Sequence, residues 1–196
     1  MEAVSNVNYN HSYINENRSN GANDKSNVSF DIEKINTSDD DERLLGIGFL
    51  KAPNNNIYYG MRAEYAENFS AENPIISVKV QKEYGEVEEY NIDISKVNPQ
   101  NATEIEMFAL CNYADATRNG TGGTFGSWQT LNYYRQNASH NGYFEMTNIM
   151  EQFKNIKQNW TSMVSAMIND YINAGLFKQA LDGKQLLGAV NRFLSQ

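Results

Sequence analysis

Cys111 is the only thiol of the chain, and His140 is one of only two histidines, the other being His11. A thiol nucleophile with an imidazole base requires such a pair, so Cys111 and His140 are the candidate catalytic residues, for acyl or peptide transfer. Each also has a structural reading. Cys111 lies at the margin of an apolar helical sector, where an unreactive thiol packs as a small hydrophobe. His140 precedes Asn141-Gly142 at the expected carboxyl end of a helix, where an imidazolium meets the helix dipole favourably. The structural reading is preferred for both.

A second group could bind rather than react. Trp128, Tyr133, Tyr134 and Tyr143 collect beside Arg135 and His140. Tyr133 and Arg135 fall off the apolar stripe of their helix and, with Tyr143, make the candidate binding patch. The segment before them, Gly120-Thr121-Gly122-Gly123-Thr124-Phe125-Gly126, has the composition of a phosphate cradle. It follows a helix instead of a buried parallel strand, and it lacks both the Lys-Ser/Thr of a P-loop and the glycine spacing of a dinucleotide site. It reads as a flexible link between helices. One Cys and two His supply too few ligands for zinc. Asp39-Asp40-Asp41-Glu42 lacks the alternation of a calcium loop and reads as a solvated charge cluster. No metal and no cofactor are expected. Glu88 and Glu89 are adjacent in a strand and point to opposite faces, so they cannot work together as acid and base.

The elements that must position these residues change period once. Residues 1–26 are rich in Asn, Ser and Gly, with too little apolar surface to offset ordering, and read as a disordered polar tail. Residues 27–196 read as a single α+β domain, with a sheet over 27–97 and a helical part over 101–196. Val28, Phe30 and Ile32 alternate with polar residues, as do Leu45, Ile47 and Phe49, then Met61, Ala63 and Tyr65, then Ile76, Val78 and Val80, then Tyr90 and Ile92. Period-two alternation predicts an antiparallel sheet of about five strands in two hairpins, apolar side inward. Thr103 followed by Glu106 is a capping box that opens the first helix. Met107, Ala109, Leu110, Tyr113 and Ala114 share its wide apolar sector, while Phe108 points elsewhere and implies contact on a second side. Trp128, Leu131, Tyr134 and Ala138 mark a second helix. Met146 through Tyr171 keeps a three-four spacing that predicts one long helix, opened by Asn148 and closed near Gly175. The last segment, with Asp182-Gly183 inside it, reads as a short helix pair or one broken helix. About four helices therefore cover the sheet.

At 196 residues the chain can bury a core without staples. Its net charge of -8 and scattered Lys and Arg argue against nucleic acid, which needs a concentrated basic face. No apolar run is long enough for membrane insertion, and the amino terminus lacks the regions of a cleaved signal, so the protein reads as soluble, either cytoplasmic or exported without a cleaved signal.

Asn98-Pro99-Gln100-Asn101-Ala102-Thr103 leading into Glu106-Met107-Phe108-Ala109-Leu110, then Thr124-Phe125-Gly126-Ser127 and Lys157-Gln158-Asn159-Trp160, resembles conserved-hypothetical proteins of Gram-positive anaerobic bacteria. The resemblance spans about the second half of the chain and implies no activity and no site residue. The Asn/Ser-rich amino terminus is similar in composition to those of proteins exported by flagellar-type secretion. Three functions follow in order of expectation. The first is a noncatalytic protein-interaction domain whose partner is another protein. The second is a Cys111/His140 transfer enzyme, and the third a leaderless exported bacterial factor.

Overall fold

Alternating residues such as Ile76, Val78 and Val80 against Lys79 and Gln81 can satisfy both water and a core in a sheet covered on one side. The computed structural model describes residues 41–51, 58–81, 85–122, 126–141 and 155–195. All of them belong to one compact unit, Thr37–Gln196. The strands are β1 (Leu44–Lys51), β2 (Tyr58–Tyr65), β3 (Ile75–Gln81) and β4 (Val87–Asp93), hydrogen-bonded in chain order. All neighbours are antiparallel, so both expected hairpins form and the β2–β3 pairing joins them into a meander. The described sheet has four strands, not five. The other expected strand, Val28 to Ile32, lies outside the described residues, as does the 1–26 tail.

Ala63, Val78 and Tyr90 stand opposite one another on the inner face, flanked by Met61, Val80 and Ile76. On β1 the expected facing holds for Leu45, which packs half-buried against the core, and is reversed beyond the register irregularity between Leu44 and Gly46. Leu45, Ile47 and Phe49 were the apolar set, yet Gly46 and Gly48 pair with Ala63 and Met61 and face inward. Ile47 and Phe49 are instead 49% and 45% exposed. The reason is volume. The Phe108 and Trp128 rings, packed edge to face with centroids 5.2 Å apart, come down on this strand. A Cβ at Gly48 would lie 2.7 Å from Phe108 Cε2 and 2.9 Å from Trp128 Nε1. Only glycine leaves room there. Gly48→Ala is expected to destabilise the fold by about 1–3 kcal/mol through overpacking, and the urea midpoint measures it. An unchanged midpoint would show that the two rings give way freely.

On the outer face Glu64 is buried between Arg62, at 3.0 Å, and Lys79. Desolvation pushes its pKa up, but the Lys79 hydrogen bond and charge, followed by those of Arg62, outweigh it and hold the carboxyl below its ordinary value. Because the folded pKa is the lower one, this group's stabilisation is present above the ordinary carboxylate range and is lost as pH falls through the depressed value.

The helices are α1 (Glu104–Ala116), α2 (Ser127–His140), α3 (Trp160–Asn173) and α4 (Phe177–Asn191). The capping box that opens α1 is complete. Thr103 Oγ1 accepts from Glu106 N at 3.2 Å, and Glu106 Oε2 accepts from Thr103 N at 2.6 Å. Ile105, Met107, Phe108, Ala109, Leu110, Cys111 and Ala114 are all buried, so α1 is apolar around most of its circumference. Such a helix must be covered on several sides. It packs on all four strands and, on its other sides, on α2 and α4, while α3 packs on α2 and α4. The central helix is therefore α1.

The long helix expected from Asn148 to Gly175 is interrupted in its described part. Ile156 to Asn159 are not helical, because Gln158 pairs as an antiparallel bridge with Ala102 at the start of α1. Asn159 then caps a new helix of 14 residues through its bond from Ser162 N. Asn148 lies outside the described residues. By contrast, the expected break at Asp182-Gly183 does not occur, and α4 runs through it. Gly183 is there because Tyr134 is. A Cβ would meet the Tyr134 hydroxyl at 2.5 Å and Ile168 Cγ1 at 2.7 Å. No described helix is long and apolar enough to cross a membrane.

Candidate functional site

The candidate catalytic pair is split between interior and surface. Cys111 is fully buried in α1, and burial, with the Asp115 charge second, pushes its thiol pKa well up. A protonated, enclosed thiol is neither nucleophile nor easily alkylated. His140 is exposed in the last turn of α2, the helix end expected of it, and no hydrogen bond joins it to Cys111. The candidate binding patch divides in the same way. Tyr133 is 50% exposed. Arg135, two residues on, is 2% exposed and ion-paired with Glu104 of α1, itself buried. Burial pulls the guanidinium pKa down to about 10, which still leaves it charged at neutral pH. Arg135 therefore joins helices and is absent from the surface that carries Tyr133. Tyr143 lies outside the described residues.

Beside the described part of the glycine-rich link lies an open pocket of about 380 Å³, lined by Asp115, Arg118, Gly120, Gly122 and Gly126. Its resemblance to an anion cradle has a physical basis, because the free N–H groups at the start of α2 do meet a carboxylate. That carboxylate belongs to the chain. Gly126 is the N-cap of α2 and has no side chain to cap with. Asp115, from the last turn of α1, takes over: its Oδ2 accepts from Ser127 N at 2.7 Å and its Oδ1 from Ser127 Oγ at 2.6 Å. An acid there opposes the dipole of α1 but suits that of α2. A Cβ at Gly120 would fall 1.8 Å from Asp115 Oδ1, and one at Gly126 2.8 Å from Oδ2. These two glycines make room for Asp115. The described part of the link is held further, by Asn119 N bonding Ala114 O at 2.7 Å and by Arg192 Nη1 bonding Asn119 Oδ1 at 3.0 Å. A second anion would face Asp115 directly. Asp115→Ala is expected to cost about 1–2 kcal/mol as a lost cap, measured by thermal unfolding. An unaltered midpoint would mean that water caps α2 equally well.

A different surface carries unsatisfied apolar area. At the α3–α4 turn and along α4, Ile172, Leu176, Phe177 and Leu181 are 39%, 42%, 69% and 55% exposed. The buried side of α4 is formed by Ala180, Gly183, Leu186, Ala189 and Val190. At about 100° per residue, Phe177 and Leu181 project away from Leu186 and Val190. The turn is set by Gly175 at φ +73, a conformation that glycine adopts without strain. The sequence carried this signal. Reading a break at Asp182-Gly183 concealed it, since two short helices have no common projection.

The geometry defines an α+β unit, a four-stranded antiparallel sheet covered by helices, with an internally capped glycine link and an apolar outer stripe on its last helix. No family model, no curated protein and no solved structure matches the chain.

Proposed function

We propose that the chain is a noncatalytic protein-interaction domain whose binding face is the outer side of α4 with the α3–α4 turn. One observation carries this reading: Phe177 and Leu181, large apolar side chains one turn apart on α4, are both more than half exposed, and Leu176 and Ile172 are exposed at the adjoining turn and the end of α3. Single exposed apolar residues are ordinary, but a contiguous apolar row is what an interaction surface offers, and an aromatic residue at its centre is a usual anchor. The enclosed Cys111 thiol supports the noncatalytic side of the reading.

The test is the double substitution Phe177→Ser and Leu181→Ser. Being at the surface, it should leave unfolding unchanged within about 0.5 kcal/mol, while the partner that co-purifies with the full chain from its native cell is lost. Retention of that partner by a folded double variant would overturn the proposal.

A further inference from the structure

We infer that the partner received by α4 is an acidic amphipathic helix of another protein, an inference that rests on the α4 interaction face proposed above. The charge on that face is the first argument. Lys178 and Lys184 of α4 are exposed, against the single carboxylate of that helix, Asp182, which pairs with Lys178 at 3.3 Å. The face is basic on a chain whose net charge is -8. Lys184 borders the Phe177–Leu181 row on one side and Lys178 on the other, so a partner with apolar residues centrally and Asp or Glu at its flanks matches both features.

Gly188 is the second argument. It shares the outer face with Phe177 and Leu181, about three turns from Phe177, and it is exposed. A glycine inside a helix costs about 1 kcal/mol relative to alanine. Gly183 has an internal cause, the Tyr134 hydroxyl and Ile168. Gly188 has none, because a Cβ there would meet nothing within 4 Å. Its missing side chain leaves the backbone open to a close external approach, with Phe177 and Leu181 raised at one end of the row and a shallow floor at the other. A second helix laid along α4 fits that relief.

Two other occupants fit less well. A second copy of the chain, packed antiparallel with Phe177 over Gly188, would bring the two Lys184 side chains together near the dyad. An anionic membrane surface suits the lysines and Phe177, but it gains nothing from Gly188 and is repelled by the acidic remainder of the chain.

The experiment places a photocrosslinking residue beside the row, Gln185→p-benzoylphenylalanine, in the full chain in its native cell, and sequences the crosslinked peptide. It is repeated with Gly188→Leu and with Lys178→Glu plus Lys184→Glu. The expected adduct is a segment of another protein with apolar residues at helical spacing and Asp or Glu flanking them. Both variants should lower its yield at least about fivefold while remaining folded by circular dichroism. An adduct lost with Gly188→Leu but kept with the charge reversal would defeat the acidic partner and leave the interaction face standing. No adduct at all would defeat both. Crosslinks only between copies of the chain, or Phe177-dependent flotation with vesicles of phosphatidylcholine and phosphatidylserine, would overturn the inference in favour of those occupants.

Discussion

Arg135→Ala is expected to destabilise the protein by about 3–5 kcal/mol, the usual consequence of removing one partner from a buried ion pair. Arg135 and Glu104 are 2% exposed each at the residue level and share their ion pair between α1 and α2. Without the guanidinium, the Glu104 carboxylate stays buried but loses the opposite charge that Arg135 supplies, and its desolvation is no longer offset by their pairing. The pair itself is not an efficient stabiliser. Arg135 Nε is buried without a hydrogen-bond partner, as is Trp128 Nε1 on the same side of α2. An incompletely satisfied buried pair rarely recovers its desolvation cost. The double replacement Glu104→Leu with Arg135→Met should therefore recover most of the loss and approach or exceed wild-type stability. Urea unfolding of Glu104→Leu, Arg135→Met and the double variant gives the coupling energy directly. A double variant as unstable as Arg135→Ala would mean that the pair contributes net stability, with Glu104 also serving the first turn of α1 as a dipole-matched acid.

What the sequence disclosed and what it concealed divide along the range of the interactions. The start of α1 was legible because Thr103 and Glu106 satisfy each other within one turn, and β3 was legible because its alternation is a property of neighbouring residues. The facing of β1 was not. Whether Gly48 or Ile47 turns inward depends on the rings of Phe108 and Trp128, both far along the chain. The expectation that Arg135 lies off the apolar stripe of α2 fails on projection, since it recurs at helical spacing with Trp128, Leu131 and Ala138 on the buried side; only its partner, the Glu104 carboxylate that α1 places opposite it, was out of local reach. Asp115 carries no local sign of its role, since its partner Ser127 is reached across the glycine link. Local chemistry thus identified where elements begin. It could not say which partners the assembled helices would bring together, such as Glu104 for Arg135 and Ser127 for Asp115.

The loss of Trp160 is the other large effect expected. This side chain is 1% exposed, and it is the first residue of α3. Its Nε1 donates to Ala102 O at 2.8 Å and its backbone N–H to Pro99 O at 2.9 Å, while Ala102 and Gln158 exchange backbone bonds of 3.2 and 2.9 Å. Lys157 Nζ reaches Glu106 Oε1 at 3.2 Å. The start of α3 is thereby tied to the start of α1, and this tie is what stops the apolar period upstream of Trp160 from continuing as one helix. Trp160→Ala removes the ring and leaves a cavity, a change that costs about 3–5 kcal/mol. Trp160→Phe separates packing from hydrogen bonding. It keeps most of the apolar volume and forfeits the indole N–H, but Ala102 O still accepts from Gln158 N, so no carbonyl is stranded and the cost should stay near 1 kcal/mol. Packing, not the indole bond, is then the dominant contribution. Hydrogen exchange gives the local consequence: in Trp160→Ala the amides of Glu106 and Met107, in the first turn of α1, should lose protection before those of α4. Equal loss throughout would show that the tie acts only on global stability, and a Phe variant as damaged as the Ala variant would reverse the ranking of the two effects.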